Sequence, residues 1–267
     1  MTHERDVITD LVEEGKALDA LLAGAREDVW TLPTPAEGWS VRHQIGHLAM
    51  VFAMAEKAAA DPVGFKAFVA GLNSSFDAAV QEGLAPYLAM DGETLMREWQ
   101  RQREATTKAL RGVPPARLVP WLVRPIPAAV LTAAGMTELF GHGQDIADAL
   151  GVTRRPTDRI RHIAEFVTLT WEFGYESHSL PEPRKGFRFE LEAPSGEKWT
   201  LGAVDATERI TGPAVDLCML ATRRRHRDDL SLTASGPDAD QWLDIAQAYR
   251  GPAGTGRRPG QFAAVRG

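Results

Sequence analysis

Glu138 and His142 stand four apart in MTELFGHGQD. A helix sets residues four apart on one face, one turn from each other. A carboxylate and an imidazole placed in this way can grip one divalent ion. A third ligand from a facing helix would leave a position for water or substrate, the arrangement of catalytic zinc, and bundle cores build metal sites from facing helices. His43 and His47 lie in VRHQIGHLAMV, also four apart and among apolar neighbours (Ile45, Leu48, Val51). Spacing alone does not choose between them. Glu/His pairs at this spacing are common on solvated helix faces, so the bland reading is two surface residues and one core histidine. Asp145, three after His142, would either orient that ring as a hydrogen-bond acceptor or stand as a surface charge.

Other residues carry weaker signals. Arg223, Arg224, Arg225, His226 and Arg227 make a dense basic run before Asp228 and Asp229. An arginine there can hold a carboxylate with two parallel hydrogen bonds, or the run is a solvated helix end, where cations are favourable anyway. Cys218 sits in the apolar stretch DLCML and reads as a buried, inert thiol. Trp39 reads as a core anchor at a helix start. Trp121, in a proline-rich loop, either lines a pocket or packs. His162, His178 and His226 lack ligand spacing. Gly141 and Gly143 flank His142 despite their helix cost, which close approach of another helix or a ligand would explain. No Ser-His-Asp order, phosphate-binding glycine loop or paired catalytic carboxylates is visible.

These residues need helices to position them. Apolar spacing predicts an amphipathic helix over 5–24. TLPTPAEGWS is a loop, with Ser40 as N-cap of a helix over 41–60. Asp61-Pro62 starts a shorter helix to about 82. Helices follow over 92–111, 127–150 (ended by Gly151) and 157–176, while VPPARLVPWLVRPIP cannot be helical. The texture then changes. FRFELEAPSGEKWTLG alternates on both sides of a turn, a β-hairpin pattern. ERITGPAVDLCMLATRR reads as a strand entering a helix, DLSLTAS as a strand, and DADQWLDIAQAYR as a helix with Asp238 as cap. The Gly- and Arg-rich tail, 251–267, is expected to be ordered only in part. The fold class is α+β: residues 1–178 a helical domain, residues 179–267 a small α+β domain.

The chain has 267 residues, 44% of them hydrophobic, enough for two ordinary cores. A net charge of −6 argues against nucleic acid as partner and gives no reason to expect an anionic membrane. One cysteine excludes an intramolecular disulfide and points to a reducing compartment. The start of the sequence lacks the pattern of a secretory signal, and no apolar run is long enough to span a bilayer. The cytoplasm is the expected location.

GWSVRHQIGHLA resembles the signature of the DinB-like superfamily, in which a helix after a Trp-Ser/Thr loop carries a metal histidine. TELFGHGQDIADALG resembles the later helix of the mycothiol-dependent maleylpyruvate isomerase branch, with its pattern Glu-x-x-x-His-x-x-Asp followed by Ala-Leu-Gly. RHQIGHLA, HGQD, TGPAVDLC, RRRHRDD and WLDIAQAYRGPAG together are most similar to an actinobacterial subfamily of metal-binding proteins. The resemblance implies a DinB-like four-helix bundle followed by a sterol-carrier-like domain. It implies one divalent ion on His47, Glu138 and His142, with His43 left out by the match at Gly46-His47-Leu48. Zinc suits such a set best, and nickel or iron uses similar ligands. The branch also carries an active-site arginine near the end of the C-terminal helix, and Arg224, or failing it Arg223, matches that position. The implied activity is isomerase, thiol-transferase or related small-molecule chemistry with mycothiol as co-substrate, in general or specialised metabolism. The expected substrate is an anionic or carbonyl-bearing small molecule. LATRRRHRDD and WLVRPIP depart from the branch, so maleylpyruvate itself is not carried over. The alternative is a non-catalytic, metal-stabilised carrier of a small or lipid-like ligand.

Overall fold

The computed structural model describes residues 6–72 and 75–262. Residue 5 of the expected first helix, residues 73–74 of the expected third and residues 263–267 of the tail lie outside them. The chain is α+β, mostly helical with small sheets, and divides into two compact units, Met1–Arg154 and Arg155–Gly267. Residues 155–178, read from the sequence with the bundle, belong to the second unit.

In the first unit, α1 (Val7–Leu21), α3 (Val41–Ala60), α6 (Gly92–Arg111) and α7 (Ala128–Leu150) pack on one another. Each apolar stripe faces inward: Leu11 and Leu18, Ile45, Leu48 and Phe52, Leu95 and Trp99, Met136 and Leu139 are all buried. Short helices fill the connections: α2 (Glu27–Trp30), α4 (Pro62–Ala70) and α5 (Phe76–Leu88). The expected single helix after Asp61 is therefore two, α4 and α5. Asp61 caps α4, accepting from Gly64 N at 2.9 Å, with Pro62 at the first helical position. The proline-rich stretch is a small hairpin of β1 (Leu118–Val119) and β2 (Ile126–Pro127).

In the second unit, the expected helix over 157–176 is a 3₁₀ turn (Asp158–Ile160), α8 (Arg161–Thr170) and α9 (Glu172–His178). The sheet comprises β3 (Arg188–Glu192), β4 (Lys198–Gly202), β5 (Arg209–Pro213) and β6 (Thr233–Ser235), in the order β4-β3-β5-β6. β3 and β5 are parallel and the other pairs antiparallel. Alternation buries Phe189, Leu191, Trp199 and Ile210 on one face. Packed there are α8, α10 (Ala214–Ala221) and α11 (Pro237–Ile245), with Trp242 against Phe187 and Phe189. Gly236, not Asp238, precedes α11 at its N-cap. No helix among the described residues is long and apolar enough to cross a membrane.

Candidate metal centre

The loop before α3 is built to hold one tryptophan. Val41 N donates to Leu32 O at 3.0 Å, and the Thr34 amide and hydroxyl both donate to Trp39 O, at 2.8 and 2.9 Å. Gly38 turns the chain at φ 76°, where a side chain would be strained. Ser40 then caps α3, and the box closes on His43, whose Nδ1 lies 3.2 Å from Ser40 N and 2.9 Å from Ser40 Oγ. His43 is thereby occupied at the helix start, and burial first, then Arg42, holds its pKa below the usual value.

One turn further on, His47 faces α7. The potential ligand atoms of His47, Glu138 and His142 all lie within 4.8 Å of one another, the one such group among the described residues. Glu138 Oε2 is 3.1 Å from His142 Nε2 and 3.4 Å from His47 Nε2. Two ligands each about 2.1 Å from a common ion stand roughly 3.0–3.4 Å apart between octahedral and tetrahedral angles. Both spans fall in that interval. The side chain of Glu138 is the most open of the three, at 28% exposed against 15% and 13% for His47 and His142.

The hydrogen bonds fix the tautomer of His142. Thr34 Oγ1 gives its proton to Trp39 O, so it accepts from Gln44 Nε2 at 2.8 Å. That turns Gln44 Oε1 toward His142 Nδ1, 2.5 Å away, and Nδ1 must carry the proton. A neutral His142 then presents an unprotonated Nε2 to a carboxylate oxygen. Two such atoms repel unless a proton or a cation lies between them, and a divalent ion removes the conflict. Burial raises the Glu138 carboxyl, but when the facing ring nitrogens of His142 and His47 carry protons their hydrogen bonds and charges outweigh it and hold the group well below the usual carboxylate range. The residues therefore fit a cation.

Gln44 and Thr34 escaped the reading of the sequence, although a glutamine on an otherwise apolar helix face was a signal. Trp39 is not a core anchor. It is half-buried, with its ring 5.3 Å from that of His47, 6.0 Å from His142 and 6.1 Å from His43, and forms a wall of the site. Trp121 packs, stacked on Phe65 at 5.6 Å. Asp145 is fully buried rather than a surface charge. The close approach at Gly143 is Arg154: a Cβ there would stand 3.2 Å from its guanidinium, which bonds Phe140 O and pairs with Glu14.

In the second unit the arginines follow α10. Arg223 takes the left-handed conformation, φ 58°, where helices usually place glycine, and its guanidinium lies 3.5 Å from Gly254 O. Arg224 bonds Thr222 O. Arg227 pairs with Asp240 and Asp244, and Arg225 lies over Phe262. Cys218 is fully buried, its thiol pushed up by burial first and then by Asp216. His178 bonds Gly174 O, and His226 caps the 3₁₀ turn Arg227–Asp229.

A family model described as the mycothiol maleylpyruvate isomerase N-terminal domain matches residues 11–147. Two uncharacterized proteins of Mycobacterium tuberculosis, from strains CDC 1551 / Oshkosh and ATCC 25618 / H37Rv, are each 38% identical over 250 residues, covering 94% of this chain and 97% of theirs. Among solved structures, a mycothiol-dependent maleylpyruvate isomerase matches with TM-score 0.57 at 17% identity. A mutant of that enzyme matches with TM-score 0.55 at 15% identity. Each alignment covers 89% of this chain and 98% of the other. At those identities the likeness is one of fold.

Proposed function

The chain belongs to the family of the mycothiol maleylpyruvate isomerase N-terminal domain, a branch of the DinB-like superfamily, and from that membership we propose that it is a divalent-metal-dependent enzyme acting on a small anionic or carbonyl-bearing molecule, with mycothiol as thiol co-substrate. The observation that carries this reading is the convergence of His47, Glu138 and His142, with spans suited to one ion. Zinc is the ion proposed. Bound there, it would supply Lewis acidity and favour the thiolate of a coordinated thiol. The chain's own residues do the rest. Gln44 keeps the Nε2 of His142 unprotonated, Glu138 contributes the negative charge, and Trp39 shields the imidazoles from water. Arg224, or failing it Arg223, holds the anionic group of the substrate, which restricts its orientation. The same reading takes the first unit as the DinB-like bundle and the second as a sterol-carrier-like domain.

Elemental analysis of protein purified without added metal should find one divalent ion per chain. His47→Ala should lower that content sharply, while His43→Ala should leave it near one. The reverse result would move the ligand to His43. If His47→Ala both empties the site and melts the bundle, the ion is structural and the carrier reading replaces the enzyme. Arg224→Ala should raise KM for an anionic substrate in a thiol-dependent assay, with metal content and Tm nearly unchanged. For Arg223 the clean variant is Arg223→Gly, because glycine suits φ 58° and alanine does not. Full activity in both variants would remove the arginines from the mechanism.

A further inference from the structure

We propose that the β1–β2 hairpin and α4 form a docking surface for an anionic lipid bilayer. The hairpin tip is Pro-Trp-Leu-Val-Arg-Pro, residues 120–125. Its base is anchored, with Val119 buried in a cluster with Phe65, Leu110 and Leu131, and Trp121 stacked on Phe65. The rest points outward. Leu118 is 62%, Leu122 41% and Val123 67% exposed, and on adjoining α4 Val63 is 81% and Phe68 40% exposed. Phe68 lies beside Phe65, ring to ring at 6.2 Å, and Phe65 in turn stacks on Trp121, which sets α4 next to the hairpin. Single exposed apolar residues need no explanation, but five together do.

The charges nearby identify the occupant. Residues 105–137 contain no Asp or Glu and four cations: Lys108, Arg111, Arg117 and Arg124. α4 adds Lys66 and no acid. Of the carboxylates near this end, Asp61 pairs with Lys57 at 3.6 Å and Asp6 lies near Arg111. Among the described residues, Lys66, Lys108, Arg117 and Arg124 have no carboxylate partner. In a chain of net charge −6, this end is positive, so the overall balance that gave no reason to expect an anionic membrane conceals a local exception. An exposed aliphatic tip ringed by cations is the composition that lies in a bilayer interface, its apolar side chains among the acyl chains and its cations at anionic headgroups. Consecutive exposed residues over 114–118 and 122–125 make the hairpin a protrusion, which suits insertion into a bilayer better than burial against a flat protein face. His47 lies about 20 Å along α3 from the end at Ala60, at 1.5 Å per residue, so changes at the tip should leave the metal site alone.

The test is flotation of the full chain with vesicles of phosphatidylcholine alone or mixed with phosphatidylglycerol. The protein should float with the mixed vesicles, not with phosphatidylcholine alone, and half-molar salt should release it. Arg117→Glu with Arg124→Glu should weaken binding at least about tenfold. Leu122→Asp with Val123→Asp should weaken it similarly, and both double variants should keep the wild-type circular dichroism and metal content. Failure of the wild-type chain to float with mixed vesicles at low salt would overturn the proposal. So would equal binding to both vesicle types, or indifference to both pairs. Concentration-dependent self-association in sedimentation velocity, abolished by Leu122→Asp with Val123→Asp and paired with no flotation, would assign the patch to a second copy of the chain instead.

Discussion

At the scale of single residues, Gln44 has the sharpest consequence. It touches no ligand atom of the proposed site other than through His142, yet it selects which ring nitrogen of His142 is available. Partners that orient a metal-binding histidine typically contribute 10–100-fold in affinity. Gln44→Leu keeps the volume but leaves a buried N–H without an acceptor, and should weaken zinc binding by about that factor in a chelator competition. Gln44→Glu preserves the acceptor and should restore binding. If Gln44→Leu bound as tightly as the wild type, something else would have to hold the ring. The four-residue spacing of Glu138 and His142 was legible in the sequence because helical periodicity is a local rule, whereas His47 was preferred to His43 only through the family resemblance. The Thr34-Gln44-His142 chain was not, because it joins a loop, one helix and a second helix nearly a hundred residues away. For the same reason Trp39 read as a core anchor: its closeness to three imidazoles depends on how α3 meets α7, which neither segment specifies alone.

At the scale of elements, the long helices of the first unit lie close to the ranges that apolar spacing predicts, and the departures have physical causes. Asp61 and Ser75 each cap a helix, so the segment after Asp61 breaks in two where continuous helix was expected. Residues 155–178 read as part of the bundle because they are helical, but α8 spends its apolar face on the sheet and α10. Helical periodicity shows that a face must be buried without saying against what. The pairing of α1 with α6 shows what such burial requires. Asp19 accepts from Trp99 Nε1 at 2.9 Å, from Gln100 Nε2 at 3.3 Å and from Arg103 at 2.6 Å. Gly15 makes room, since a Cβ there would lie 2.4 Å from Arg103 Cδ. Arg103 is buried, so Asp19→Ala leaves a desolvated guanidinium without its counter-charge, at a cost of about 3–5 kcal/mol. Thermal unfolding should then shift down by roughly 10 °C. A shift within about 2 °C would mean that water replaces the carboxylate and that the latch adds little.

At the scale of the whole molecule, an ion held as proposed by His47, Glu138 and His142 would tie the stability of the fold to pH, and the sign follows from which group titrates first. A ligand that binds only the folded chain stabilises it by RT ln(1 + [L]/Kd), about 2.7 kcal/mol at a hundredfold excess over Kd. The folded pKa of Glu138 is depressed below its ordinary value. Its own contribution is therefore complete above the unfolded carboxylate pKa and fades only as pH falls below that toward the folded value. Between pH 7 and pH 5 Glu138 stays ionised, whereas an ordinary imidazole, with a pKa of about 6.5, takes up a proton in that interval. Protonated imidazoles cannot ligate, so the ion should leave through the histidines before the carboxylate titrates. Melting curves recorded with and without zinc should differ most near pH 7.5 and converge by about pH 5.5. A zinc-dependent increment that persisted to pH 5 and vanished only as carboxylates titrate would mean that oxygen ligands alone hold the ion, and His47 and His142 would lose their assigned role.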